Sequence, residues 1–340
     1  MIVLSGMKLS ELEELMNELK ATSFRAKQVH NWIYSKSVST IDEMTNLSKD
    51  FREKLKETAI VSNTNIKLKQ VSKDGTIKYL IEYPDGECVE TVLMRFDNRA
   101  NLTACVSSQV GCAMGCSFCA TGKNGFHRNL TYKEILEQVL TIQRDTKLKV
   151  TNIVFMGQGE PLLNLDNVLK AIDIFNEDFQ IGARRITIST CGVIPKIAEL
   201  ASKELQCTLA VSLHAPNHEL RSSLMPVENK YPIDKLKTAL SEYIAKTGRR
   251  ITIEYILIHG FNDTSVSAKE LADYLKDLKC NINLIPYNSV IENDFKKPSQ
   301  NDIMKFKYLL EHSGKKVTVR LERGSDIDAA CGQLRGKVNE

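Results

Sequence analysis

No apolar run in this 340-residue chain approaches the roughly 20 residues that cross a bilayer as a helix. The apolar stretch at residues 1–7 is short and lacks a basic leader, so no signal peptide is expected and the cytoplasm is the expected compartment. Neither sign of charge dominates. The 46 basic and 42 acidic residues leave +4, which permits an anionic partner without demanding one. A second cysteine pair is also missing. Structural zinc sites usually bring two pairs, and here one triplet stands alone, with Cys112, Cys116 and Cys119 spaced C-x3-C-x2-C. Nine cysteines without an export signal point to reduced thiols, and those outside the triplet read first as packing residues. What is present is enough apolar residue, 42%, for one large core and a smaller module.

Thiolates this close together prefer a soft metal. Iron–sulfur clusters usually take four cysteine ligands, so three leave one iron free to bind something else. The spacing resembles the radical S-adenosylmethionine (SAM) superfamily, in which that iron holds SAM. The rival is structural zinc with His127 as fourth ligand.

Residues 1–62 read as a small helical module. Ser10 and Glu13 look like a capping box ahead of Leu12, Leu15, Met16 and Leu19, with further apolar stripes at Val29, Trp32, Ile33 and at Phe51, Leu55. Residues 63–97 change to strand period. Asp74-Gly75 and Asp85-Gly86 separate three strand-like runs, which predicts a β-hairpin extension. From 98 to 340, strands alternate with amphipathic helices. The strands are expected at 103–107, 152–156, 185–189, 208–213, 251–258 and 281–286, with one more at 316–321. A capping box at Thr131 and Glu134 opens the first of the helices. Six such units make an α/β partial (β/α)6 barrel, open at the mouth because eight would close it.

Chemistry in such folds gathers at the carboxyl ends of the strands. The cysteine loop, Gly157-Gln-Gly-Glu-Pro161, Ser189-Thr-Cys-Gly192, Ser212-Leu-His214 and Tyr287-Asn288 all fall there. Singly, each has an ordinary reading: a βα turn, or a satisfied structural histidine. Together on one rim they read as a ligand site, with glycines for close backbone approach and Glu160, Ser189, Ser212 and Asn288 as polar contacts. Taken alone, Glu90 is a solvated strand residue and Cys105 and Cys331 are inert thiols. Lys123, Arg128, Arg184, Arg185, Arg249, Arg250, Arg335 and Lys337 are candidates for phosphate contacts.

The segments VETV (89–92), CVSSQVGCAMGCSFCATG (105–122), GQGEPLLN (157–164), SLHAPN (212–217) and CGQLRG (331–336) resemble the RlmN/Cfr family of radical SAM methyltransferases over essentially the whole chain. Gln158 departs from the methionine expected at that position. The resemblance implies a [4Fe–4S] cluster on Cys112, Cys116 and Cys119, and SAM held by Gly159, Glu160, Ser189, Ser212, Leu213, His214 and Asn288. It implies that Cys331 is transiently methylated, that Glu90 is the proton acceptor and that Cys105 forms a transient disulfide with Cys331. The implied reaction methylates carbon 2 of an adenosine in 23S rRNA and of the adenosine 3′ to the anticodon in some tRNAs, using two SAM per turnover. An external electron donor such as flavodoxin or ferredoxin, a monomer and no membrane partner are expected with it. Two other readings stand beside this one: Cfr-like methylation at carbon 8, and a zinc-stabilised RNA-binding protein without catalysis.

Overall fold

The computed structural model describes residues 1–96, 99–290 and 294–336. The expected boundary at 97/98 and Lys337 lie outside the described residues.

At the amino end, β1 (Ile2–Val3) pairs in parallel with β2 (Ala59–Ile60), closing a loop around α1 (Leu9–Glu18), α2 (Ser23–Tyr34) and α3 (Lys49–Thr58). The first helix starts earlier than the Ser10/Glu13 box predicts. Glu11 instead accepts from the Lys8 N–H at 2.7 Å, one turn ahead of the buried row Leu12, Leu15, Met16. This leader is no free module. Tyr34 packs edge-on against Phe179 at 5.1 Å, His30 Nε2 meets Asp178 Oδ1 at 2.8 Å, and its buried side chains belong to one apolar cluster that runs on through the barrel.

Three antiparallel strands follow: β3 (Asn65–Val71), β4 (Ile77–Glu82) and β5 (Cys88–Phe96). The turns fall where the Asp-Gly pairs predict, with Gly75 and Gly86 at φ +80° and +85°, a region glycine enters freely. β6 (Arg99–Cys105) pairs antiparallel with β5 and parallel with β9 (Asn152–Phe155). Beyond it, β10 (Ile186–Thr190), β11 (Thr208–Ser212), β12 (Ile251–Leu257), β13 (Cys280–Pro286) and β14 (Lys316–Val319) continue in parallel. The hairpin extension is therefore the antiparallel end of one ten-stranded sheet, with β3 and β14 as its edges.

The six predicted units are present. α5 (Tyr132–Thr146), α6 (Leu165–Glu177), α7 (Ile194–Ala201), α9 (Ile233–Thr247), α10 (Ser265–Leu275) and α11 (Gln300–His312) return the chain after each parallel strand but the last, with a short α8 (His218–Leu224) ahead of α9. Thr131 and Glu134 cap α5 as predicted. A small hairpin of β7 (Gln109–Gly111) and β8 (Phe126–Asn129), with the one-turn α4 (Ala120–Lys123) between, frames the cysteine loop. Strands of three and four residues leave no readable period. No helix among the described residues is long and apolar enough to cross a membrane.

After β14 the tail crosses from that sheet edge to the opposite one. Gly324 N–H donates to Asp74 Oδ2 at 3.0 Å, Ser72 Oγ to Asp326 Oδ1 at 2.5 Å and Lys73 N–H to Asp326 Oδ2 at 3.2 Å, so the tail is fastened to the β3–β4 turn.

Candidate active site

The β7–β8 hairpin brings the cysteines to the rim. A Cβ at Gly111 would lie 2.0 Å from the Gly125 carbonyl oxygen, so glycine alone lets the two arms touch there. Cys112 N–H then donates to the same oxygen at 2.7 Å. Gly122 also lets the backbone of Cys116 come near, since a Cβ there would meet Cys116 N at 3.0 Å. The three thiols line an open cleft. Burial pushes all three upward, Cys112 to about 12, and mutual repulsion adds to it at Cys112 and Cys116. A positive centre among them reverses that tendency by favouring the thiolates.

A single zinc would need the three thiolates closer together than they stand. Thiolates about 2.3 Å from one shared ion lie under about 5 Å apart, and the three sulfurs do not all fall within 4.8 Å of one another. His127 sits away from the cleft, with Nδ1 3.0 Å from Glu87 Oε1. A wider three-thiolate set fits a [4Fe–4S] cluster with one open iron.

Gly159, Glu160, Ser189, Ser212 and His214 line the same cleft, as the rim argument predicts. Gly159 holds φ +98°, and a Cβ would lie 2.6 Å from that of Gln109. Glu160 is buried, and both carboxylate oxygens accept backbone N–H groups, from Leu162 at 3.0 Å and Cys191 at 2.7 Å. Burial pushes its carboxyl upward against the pull of those donors. Burial first, and then the Arg221 charge, press His214 down to about 3, so the ring is neutral. Its Nδ1 accepts the Ile256 N–H at 3.1 Å, which leaves Nε2 as the protonated donor nitrogen. Leu213 and Asn288 do not line this cleft. Leu213 is fully buried, and Asn288 faces a neighbouring chamber, where Nδ2 donates to the Cys331 carbonyl at 3.2 Å and Oδ1 is buried without a partner.

That second chamber is lined by Cys105. Cys331 lines both spaces, as does Arg320 at the end of β14. Burial pushes the Cys105 thiol up to about 12, with the Cys331 sulfur next in effect. Glu90 is buried beside them rather than solvated. Its Oε2 accepts the N–H groups of Arg335 and, at 2.9 Å, Gly336, while Oε1 lies 2.9 Å from Lys78 Nζ. Gln158, the departure from the family pattern, accepts the Glu90 N–H through Oε1 at 3.1 Å.

Sequence reasoning missed Arg320, Lys78 and Glu254. Arg320 follows the seventh strand and obeys the carboxyl-end rule that marked the others; the Cys331 sulfur is the leading influence raising its pKa. Glu254 lies in the cleft wall with Oε2 buried and unpartnered, and burial pushes its carboxyl up. Lys78 carries no signal, because nothing in an alternating strand says which face the tail will cover. The phosphate candidates divide by place in the fold. Arg184 and Arg185 precede β10, and Arg249 and Arg250 precede β12, so all four sit at the amino ends of strands, opposite the cleft. Arg128 braces Asp85 at 2.7 Å and Glu134 at 2.8 Å. Lys123 and Arg335 stay on the cleft side, flanking the cysteine loop and the tail.

Two family models match the chain: the radical SAM superfamily over residues 106–279 and the ribosomal RNA large subunit methyltransferase N-terminal domain over 2–61. The chain is 47% identical to a probable dual-specificity RNA methyltransferase RlmN of Clostridium novyi, covering 96% of each. It is 48% identical to the protein of that name from Alkaliphilus oremlandii, covering 99% of this chain and 98% of the other. The crystal structure of a radical SAM methyltransferase from Sphaerobacter thermophilus superposes with a TM-score of 0.93 at 43% identity, over 99% of this chain and all of that one. The three-thiol cleft, the second chamber and the tail between them thus sit in a fold of known kind, and the chain belongs to the RlmN family of radical SAM RNA methyltransferases.

Proposed function

We propose that this protein methylates carbon 2 of a specific adenosine in the peptidyl transferase region of 23S rRNA and of the adenosine 3′ to the anticodon in a subset of tRNAs. The observation that carries the reading is the position of Cys331, which lines both the three-thiol cleft and the chamber of Cys105. One sulfur can face a methyl donor on one side and a resolving thiol on the other.

Cys112, Cys116 and Cys119 hold the cluster, and Glu160, Ser189, Ser212 and the His214 Nε2–H supply polar contacts for SAM. Gly159 lets the backbone approach it. Leu213 supports the wall from behind, and Asn288 holds the Cys331 backbone. The cluster and SAM supply, when bound, a carbon radical by one-electron cleavage. Carbon 2 of adenine lies between two ring nitrogens and is electron-poor, so ordinary polar methylation fails there. Cys331, as thiolate, takes a methyl group; once that methyl has lost a hydrogen atom to the carbon radical, its carbon bonds to carbon 2 of the base, which must be unstacked to reach the rim, and the RNA is then held covalently through Cys331. Glu90 accepts the proton leaving carbon 2. After one electron has returned to the external carrier, Cys105 attacks the Cys331 sulfur; the S–S bond forms as the S–C bond breaks, the released carbon takes a proton to become the methyl group of the base, and an external two-electron reductant restores both thiols. The leader (1–62) serves as an RNA-binding accessory domain, 63–97 as an extension and 98–340 as the catalytic core. A flavodoxin or ferredoxin supplies electrons to a monomer in the cytoplasm.

The test is nucleoside analysis of 23S rRNA and tRNA treated with cluster-loaded protein, SAM and reductant. 2-Methyladenosine in both RNAs is the expected product. 8-Methyladenosine transfers the assignment to the Cfr-like reaction, and unmodified RNA rejects both.

A further inference from the structure

Lys78 projects from β4 onto the sheet face that carries Glu90 and Cys105. The register fixes this: Lys78 stands opposite Val92, Val92 opposite Cys105, and Glu90 two residues before Val92 on the same strand face. The Lys78 side chain is 8% exposed. A buried ammonium is costly unless paired, and Nζ has two partners from different parts of the chain. It lies 2.9 Å from Glu90 Oε1 and donates to the Asp328 carbonyl at 3.1 Å. Asp328, three residues before Cys331, holds φ +51°, a left-handed conformation uncommon outside glycine. Beyond Cys331, the Arg335 and Gly336 N–H groups occupy Glu90 Oε2. The Lys78–Glu90 pair therefore grips the tail on both sides of the thiol.

We infer that Lys78 is a positioning residue: it directs the Glu90 carboxylate and, through Asp328, seats the Cys331 tail, so that the base and the thiol are aligned together. The inference rests on the roles proposed above for Glu90 and Cys331. Once Glu90 has accepted the proton its charge is gone, and the Asp328 carbonyl remains as the Lys78 partner. The tail thus stays seated while Cys105 attacks. Without Lys78 the carboxylate has no partner at Oε1, and the segment before Cys331 loses its tie to β4. Methyl transfer to Cys331 does not use Glu90, so it feels only the looser tail and falls far less than proton removal.

The experiment compares Lys78→Met, which keeps length and removes charge, with Lys78→Arg in full-length, cluster-loaded protein. Methylation of Cys331 is read by mass, RNA attached to protein by denaturing gel, and hydrogen exchange on residues 324–335. Lys78→Met is expected to keep Cys331 methylation within about twofold, to raise trapped RNA about fivefold and to speed exchange in the tail about fivefold, with Lys78→Arg restoring most of each. Wild-type turnover without trapped RNA in Lys78→Met overturns the inference. So does a parallel fall of Cys331 methylation and trapped RNA in both variants, which marks damage to the fold alone. The exchange measurement needs no substrate. Unchanged tail exchange sinks the seating role by itself, whereas wild-type protein that methylates neither Cys331 nor RNA sinks the functional proposal and leaves exchange to decide this one.

Discussion

In the proposed reaction Cys105 meets two opposed demands: it must attack as a thiolate, yet its burial pushes the thiol up to about 12. Below that value the thiolate fraction rises about tenfold per pH unit. Release of the protein–RNA adduct should therefore accelerate about tenfold per unit between about pH 7 and 9 in single-turnover measurements. Cys105→Ala should accumulate RNA bound through Cys331 that survives a denaturing gel. Free, normally methylated RNA from that variant would leave Cys105 a packing residue. His214 gives a second test. Its folded pKa of about 3 lies below the ordinary 6.5, so the unfolded chain takes the proton first. The stability this contributes is complete above about pH 6.5 and is lost as pH falls toward 3, about 2–3 kcal/mol by pH 4.5. In denaturant melts, the unfolding free energy lost between pH 7 and 4.5 should be larger by that amount in wild type than in His214→Gln. At this scale the sequence was partly legible. Glycines, serines and cysteines at strand ends announced the cleft, because the carboxyl-end rule needs only strand order. Lys78 and Glu254 sit within strands, where their importance depends on what the fold lays across them.

Two turns carry the ligand-facing backbone. In the turn after β9, Gly159→Ala places a Cβ 2.6 Å from Gln109 at φ +98°. Strain of this kind costs about 1–3 kcal/mol before the clash is added. A lowered melting temperature and SAM affinity reduced by more than about tenfold are expected by calorimetry. Unchanged affinity would show that the turn does not touch SAM. In the cysteine loop, replacing Cys112, Cys116 or Cys119 by Ala leaves two thiolates for a four-iron cluster. Bound iron and 5′-deoxyadenosine formation should both be abolished, and retention of either would remove that residue from the ligand set. Helix period, the Asp-Gly turns and the Thr131 cap made most elements readable in advance. The union of meander and barrel in one sheet was not, because the β5–β6 and β6–β9 pairings join segments whose local patterns say nothing about their neighbours.

For the whole molecule, the leader and barrel share one core. Leu4, Leu12, Met16 and Ile33 are at most 1% exposed within it. Each such side chain contributes about 1.5–3 kcal/mol by burial. Removing residues 1–62 should leave a protein that aggregates or melts well below the full chain, and a fragment 63–340 of unchanged melting temperature would show instead that the leader is dispensable to the core. A last consequence concerns the tail. The sheet has two unpaired edges, and residues 320–328 span from one to the other. That span works as a tie-rod across an unclosed ring. Any outward breathing of the edges would stretch the tie, and Cys331 follows three residues beyond its far end. An RNA that wedged the edges apart would therefore be expected to shift the sulfur as well.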